Sequence, residues 1–204
     1  MSLRSSPIKK TSTKYKLAQT ATVKEFFTSK EIFNLVSLHN SEKEKNIKGG
    51  IGSGKIDKKY RDVSVSFLNL SNTYFMDITQ KIVNAVFEAN TMLWNFDIKG
   101  ICEDILYLTY NKGQHYQLHS DVIWDNLNTD TPNRKCTFIL QLSNPKDYKG
   151  GEVIVGLGGL DELIIPKAKG SLTVFPSFLP HKVSEVTKGT RQSICGWVSG
   201  KSWK

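Results

Sequence analysis

The chain has 204 residues, enough for one domain with a full core. Its 39% hydrophobic and 23% charged residues are ordinary for a soluble globular protein, and no apolar run is long enough to span a membrane. The net charge of +9 is uneven: residues 1–60 hold 13 Lys/Arg and 5 Asp/Glu, a net of +8, whereas residues 61–204 hold 15 and 14, a net of +1.

Residues 1–24 read as a basic lead, with six positive charges and no acidic residue between Arg4 and Lys24. Such a skew fits a solvated tail. It also fits weak nucleic-acid contact, although Tyr15 is the one aromatic residue among the charges from Arg4 to Lys16. The lead has no apolar signal region. Cys102, Cys136 and Cys195 are odd in number and form no CxxC, which argues against a disulfide framework and fits a reducing, cytoplasmic setting.

A first helix is expected from Ser29, its cap, to about His39-Asn40, with Ile32, Phe33, Val36 and Leu38 at helical spacing. Residues 41–60, with GGIGSG at 49–54, read as an exposed loop that orders over substrate. Asp62–Leu70 alternates as a strand. A second helix is expected over Asp77–Ala89, with Ile78, Ile82, Val83, Val86 and Phe87 on one face. From Ile101 the period becomes two. Strands are expected at Ile105–Asn111, Tyr116–His119, Cys136–Ser143, Glu152–Gly156, Glu162–Ile165, Ser171–Phe175, His181–Thr187 and Gln192–Ser199, separated by turn signals. Short strands this closely spaced fit a jelly roll or barrel, with the two helices layered on one sheet, an α+β fold.

The chemistry centres on Tyr110–Asp121, YNKGQHYQLHSD. His119 and Asp121 stand two apart at a strand end, so both side chains share a face. Of the four histidines, His181 lies in a comparable strand-rich setting and completes a two-His, one-carboxylate set. Three protein ligands leave one side of a metal open, an arrangement suited to Fe(II). Taken alone, His181 also reads as a loop histidine after a proline. Arg191 shares a strand face with Ser193, Cys195 and Trp197. Buried there, its guanidinium would need a partner such as a small dicarboxylate. On the surface it would pair with Asp or Glu. Tyr110 and Tyr116 serve either as core tyrosines or as hydrogen-bond donors to a bound carboxylate.

In order and spacing, Y110-x5-Y116-x2-H119-x-D121, then Y148-K-G-G-E152, F175-P-S and H181-x6-K188-G-T-R191-x5-W197 resemble the iron- and 2-oxoglutarate-dependent oxygenases of the prolyl 4-hydroxylase-like branch. The resemblance is strong over about residues 100–199 and weak over 25–95. It implies a double-stranded β-helix of about 101–199 on a helical support of about 25–100, together one oxygenase domain over 25–204. It further implies Fe(II) on His119, Asp121 and His181, and 2-oxoglutarate held by Arg191 with Tyr110 as second donor. The resemblance also implies O2 as the oxidant and allows ascorbate as an accessory reductant. Tyr116, Arg61, Trp124 and Trp197 become candidates for substrate contact. Collagen-type members commonly carry Lys where this chain has Arg191; other branches carry Arg. The implied reaction is hydroxylation of a peptidyl prolyl or similar residue, with release of succinate and CO2, on a protein or peptide substrate. Alternatives are oxidative dealkylation of nucleic acid and a non-catalytic binding module on the same barrel.

Overall fold

The computed structural model describes residues 19–42, 47–49, 57–126, 130–156 and 162–203. Most of the basic lead therefore lies outside the described residues, as do 43–46 and 50–56 of the expected loop at 41–60. What is described of that loop includes a short strand, Ile47–Lys48. The paired strands already begin at Ala21–Val23, inside the stretch read as a lead.

Helix α1 spans Ser29–Ser41. Its cap is Thr28 rather than Ser29. The Thr28 hydroxyl accepts from the Glu31 N–H while the Glu31 carboxylate accepts from the Thr28 N–H at 2.7 Å, a reciprocal capping box. The buried face is Ile32, Leu35 and His39; Phe33, expected on it, is 66% exposed. Helix α2 runs from Thr73, capped by Asn72, to Leu93, longer at both ends than expected. Phe75, Ile78, Ile82, Val86 and Asn90 are buried, and Phe87 faces outward.

Strands β1 (Ala21–Val23), β2 (Ile47–Lys48), β4 (Ser64–Phe67), β6 (Leu106–Asn111), β8 (Asn133–Gln141), β12 (Leu172–Pro176) and β15 (Thr190–Gly200) form an antiparallel sheet in the order β1-β12-β8-β15-β6-β4-β2; β5 (Ile98–Gly100) also pairs with β15. A second sheet runs β11-β10-β13-β7-β3, from Leu163–Ile164, Val153–Val155, His181–Val183, His115–His119 and Arg61–Asp62. Strands β9 (Lys149–Gly150) and β14 (Val186–Lys188) pair separately. Two expected strands are split because the chain changes sheets. Asp62 pairs with β7 whereas Ser64 pairs with β6, so the switch falls at Val63. His181–Thr187 divides likewise between β13 and β14.

Period-two alternation builds the layers. On β8, Cys136, Phe138 and Leu140 join Ile194 and Val198 of β15 against Phe75, Ile82 and Val86 of α2. The opposite faces carry Leu108, Tyr110 and Ile139, which pack on Val153, Val155 and Val183 of the second sheet. The helices thus cover one side of the large sheet, and its other side looks across an interior toward the small one. No helix among the described residues is long and apolar enough to cross a membrane.

Gly150 fixes the tight corner at the end of β9. Its φ is +75°, and a Cβ there would lie 1.9 Å from the Glu185 carbonyl oxygen. Gly150→Ala should therefore cost on the order of 3 kcal/mol, measured by urea denaturation. A loss below about 0.5 kcal/mol, the scale of a neutral surface change, would show that the corner relaxes.

Candidate metal centre

His119 ends β7 and His181 opens β13, and the two are direct cross-strand partners. Asp121 lies just past β7 in irregular backbone, its N–H donating to the Ser177 carbonyl at 2.9 Å. His119 Nε2 is 3.7 Å from Asp121 Oδ1, and His181 Nε2 is 3.4 Å from Oδ2. One ligand atom from each residue lies within 4.8 Å of the others.

Each ring is oriented from behind. His119 Nδ1 is 2.8 Å from the Gln117 carbonyl and His181 Nδ1 is 3.0 Å from that of Leu179. A carbonyl can only accept, so Nδ1 carries the proton and Nε2 keeps its lone pair for a metal. Tyr116 stacks on His119 with ring centres 3.5 Å apart, and the Arg61 guanidinium carbon lies 4.7 Å from the centre of the Tyr116 ring. Thr137 Oγ1 donates to Asp121 Oδ2 at 2.8 Å. Burial and the neighbouring His181 push His119 down to about 4. Burial alone would raise Asp121; His181, His119 and the polar groups of Trp197 and Thr137 more than offset it and hold the carboxyl below its ordinary value. The Trp197 indole N–H is buried near this carboxylate but makes no hydrogen bond of normal geometry. A neutral His119 imidazole and an ionised Asp121 carboxylate at neutral pH are states a divalent metal needs, and His181 adds a second ring nitrogen, so the residues present fit one.

The triad lines a cavity of about 360 Å³ together with Arg61, Tyr110, Tyr116, Arg191 and Trp197. Trp124 does not line it. It sits 60% exposed on a 3-10 turn, Trp124–Asn126. At the inner end Arg191 is 1% exposed. Its Nη2 donates to Gln141 Oε1 at 3.1 Å, while its Nε and the Ser193 hydroxyl are buried without a hydrogen-bond partner. No ion pair among the described residues involves Arg191. Tyr110 is its cross-strand neighbour, the guanidinium carbon lying 5.5 Å from the ring centre. Burial pushes the Tyr110 phenol up to about 12, so it keeps its proton. Gly151 allows this arrangement: a Cβ there would meet the Arg191 side chain at 2.9 Å. Ser193 and Gln141 were not singled out from the sequence as site residues, although Gln141 falls on the same alternate positions of β8 as Thr137 and Ile139.

Residues 105–199 match the 2OG-Fe(II) oxygenase superfamily. A PKHD-type hydroxylase of Parvibaculum lavamentivorans is 39% identical over 94 residues, 46% of this chain and 41% of the relative. One from Sphingopyxis alaskensis is 32% identical over 148 residues, 70% of this chain and 65% of the relative. The chain spans about two-fifths of the length of the first curated relatives it matches. Among solved structures, a Trichoplax adhaerens prolyl hydroxylase in complex with a hypoxia inducible factor peptide fragment superposes with a TM-score of 0.71 at 18% identity, covering 88% of this chain and 83% of that one. A Pseudomonas putida prolyl-4-hydroxylase gives 0.68 at 16% identity, covering 91% and 94%. Residues 105–199 are thus similar to the 2OG-Fe(II) oxygenases. The fold of the chain is similar to those of prolyl hydroxylases.

The titration of His119 sets a testable pH response of the metal-free protein. The unfolded chain protonates this ring near 6.5 and the fold near 4. Between those values the unfolded state binds more protons, so stability is full above pH 6.5 and falls as pH drops toward 4. Asp121, lowered from 3.8, adds a further loss only below that pH. Urea midpoints should decline across this window, and His119→Asn should flatten the decline. An unchanged slope in the variant would assign the loss to other groups.

Proposed function

We propose that this chain is a Fe(II)- and 2-oxoglutarate-dependent dioxygenase that hydroxylates a peptidyl prolyl or similar amino-acid residue, releasing succinate and CO2. One observation carries the reading: a single cavity joins a three-ligand metal set to a buried guanidinium that lacks a carboxylate. His119, Asp121 and His181 would hold the metal; Fe(II) there supplies O2 activation coupled to decarboxylation of the oxo acid, with ascorbate as accessory reductant.

Arg191 and Ser193 present unsatisfied buried donors that suit the far carboxylate of 2-oxoglutarate, and Tyr110 stands beside them as a further donor. Leu108, Ile139, Val153 and Val183 give the cavity apolar walls that exclude water. Tyr116, Arg61 and Trp197 line the same space and would touch the substrate; Trp124 is left as a contact outside it. A protein or peptide substrate is supported by the peptide in the Trichoplax complex. We read the two sheets as the halves of a double-stranded β-helix within one domain over 25–204. Nucleic-acid dealkylation draws its support from the basic residues 1–60, many of which lie outside the described residues.

Arg191→Ala should weaken 2-oxoglutarate binding to the metal-loaded protein by about two to three and a half orders of magnitude. Removing one partner of a buried ion pair costs about 3–5 kcal/mol, and about 1.4 kcal/mol is tenfold. Arg191→Lys should bind better than Ala yet worse than wild type, because the charge stays and the fork is lost. Binding by Arg191→Ala within a few-fold of wild type, in a titration of 2-oxoglutarate, would move the anchor elsewhere. Asp121→Ala should abolish succinate production from 2-oxoglutarate while the protein stays folded.

A further inference from the structure

We infer that Arg134, fixed by Glu103, is a positioning residue for Asp121; the inference rests on the metal reading above. Asp121 stands in irregular backbone, tied by its N–H to the Ser177 carbonyl and otherwise braced by side chains. Three residues of β8 brace Asp121 and the residues that follow it. Asn133, fully buried, accepts from the Ile123 N–H at 3.0 Å and donates to the Ile123 carbonyl at 2.9 Å. Thr137 donates to the Asp121 carboxylate. Arg134 Nη1 donates to the Asp121 backbone carbonyl at 3.4 Å.

Arg134 is itself held on two further sides. Its Nε donates to Glu103 Oε1 at 2.7 Å and its Nη2 to Oε2, a two-pronged ion pair. Its guanidinium carbon lies 3.5 Å from the centre of the Trp197 ring, whose N–H is near the Asp121 carboxylate. One planar cation therefore touches the backbone of a ligand and the ring beside its carboxylate. A lysine could not do this, because its ammonium is a point charge without the flat fork. An open-surface ion pair would do little. This one is partly enclosed, with the Arg134 and Glu103 side chains 21% and 33% exposed.

Arg134 also occupies a junction. With Arg61, Leu106 and Trp197 it lines both the metal cavity and an adjoining groove that reaches Phe67, Glu103 and Asp104. A molecule lying in that groove would meet the guanidinium that braces Asp121.

The test is a titration of metal-free protein with Co(II), followed by its visible absorption bands, beside urea denaturation of each variant. Arg134→Met keeps the stem over Trp197 and removes the donors. It should raise the Co(II) Kd about 10- to 100-fold, the usual effect of losing an outer partner of a metal ligand, and change the band shape. Arg134→Lys should recover only part of this. Glu103→Gln, which leaves Arg134 in place but loosens it, should give a smaller change in the same direction and decides the matter if Arg134→Met does not fold. A Co(II) Kd within about two-fold of wild type with unchanged bands, whatever the urea midpoint does, would overturn the inference. If wild-type protein binds no Co(II), the metal reading fails and this inference with it. If wild type and variants bind alike, only this inference is lost.

Discussion

A guanidinium withdrawn from water is a costly group for a fold to hold, and Arg191 has one amide oxygen and an aromatic ring for company. Much of the surrounding structure is arranged around that charge. Strand β15, with β8 and β6 as its neighbours, sets Arg191 at the inner end of the cavity. Gly151 leaves room for its stem, and Ser193 adds a second unsatisfied group two residues along. The charge and the metal set share one interior, so a doubly anionic ligand would answer both.

The alternation of two strands connects fold to site. Cys136, Phe138 and Leu140 of β8 pack on the helices, while Thr137, Ile139 and Gln141 turn to Asp121, the cavity wall and Arg191. On β15 the same division sends Ile194 and Val198 to the core and Arg191, Ser193, Cys195 and Trp197 to the cavity. Helical packing therefore fixes the depth and angle of the chemical groups on the reverse face. Burial pushes the Cys195 thiol up to about 12, with Asp121 adding to the effect, so it stays protonated among them.

Features written into local spacing were legible from the sequence. The pair His119 and Asp121, the strand face of Arg191 and the two-residue period after Ile101 all rest on neighbours along the chain. What escaped depends on tertiary context. Phe33 has helical spacing like a core residue, but Leu35 and His39 take the buried face because α1 presents that side to the sheet. The strand expected over Asp62–Leu70 is continuous in pattern, yet Val63 is where it passes from one sheet to the other. Thr28 displaced Ser29 as cap because Glu31 lies three residues from Thr28, the spacing that a reciprocal box needs. Arg134 carries no local signal, since its partners at Glu103, Asp121 and Trp197 are gathered by the fold. Trp124 was drawn in by closeness in sequence to Asp121, and the turn it sits on carries it away from the cavity.

The direct pairing of His119 with His181 has a consequence for how the protein matures. A strand that slips by one residue turns every side chain to the other side. A β7–β13 pairing out by one would point one imidazole away from Asp121 and leave the ligand set incomplete. Misassembled chains would then be blind to the metal, while correctly paired ones would be stabilised by capturing it. Metal uptake would thus act as a proofreading step, admitting to service only molecules whose small sheet has closed in register.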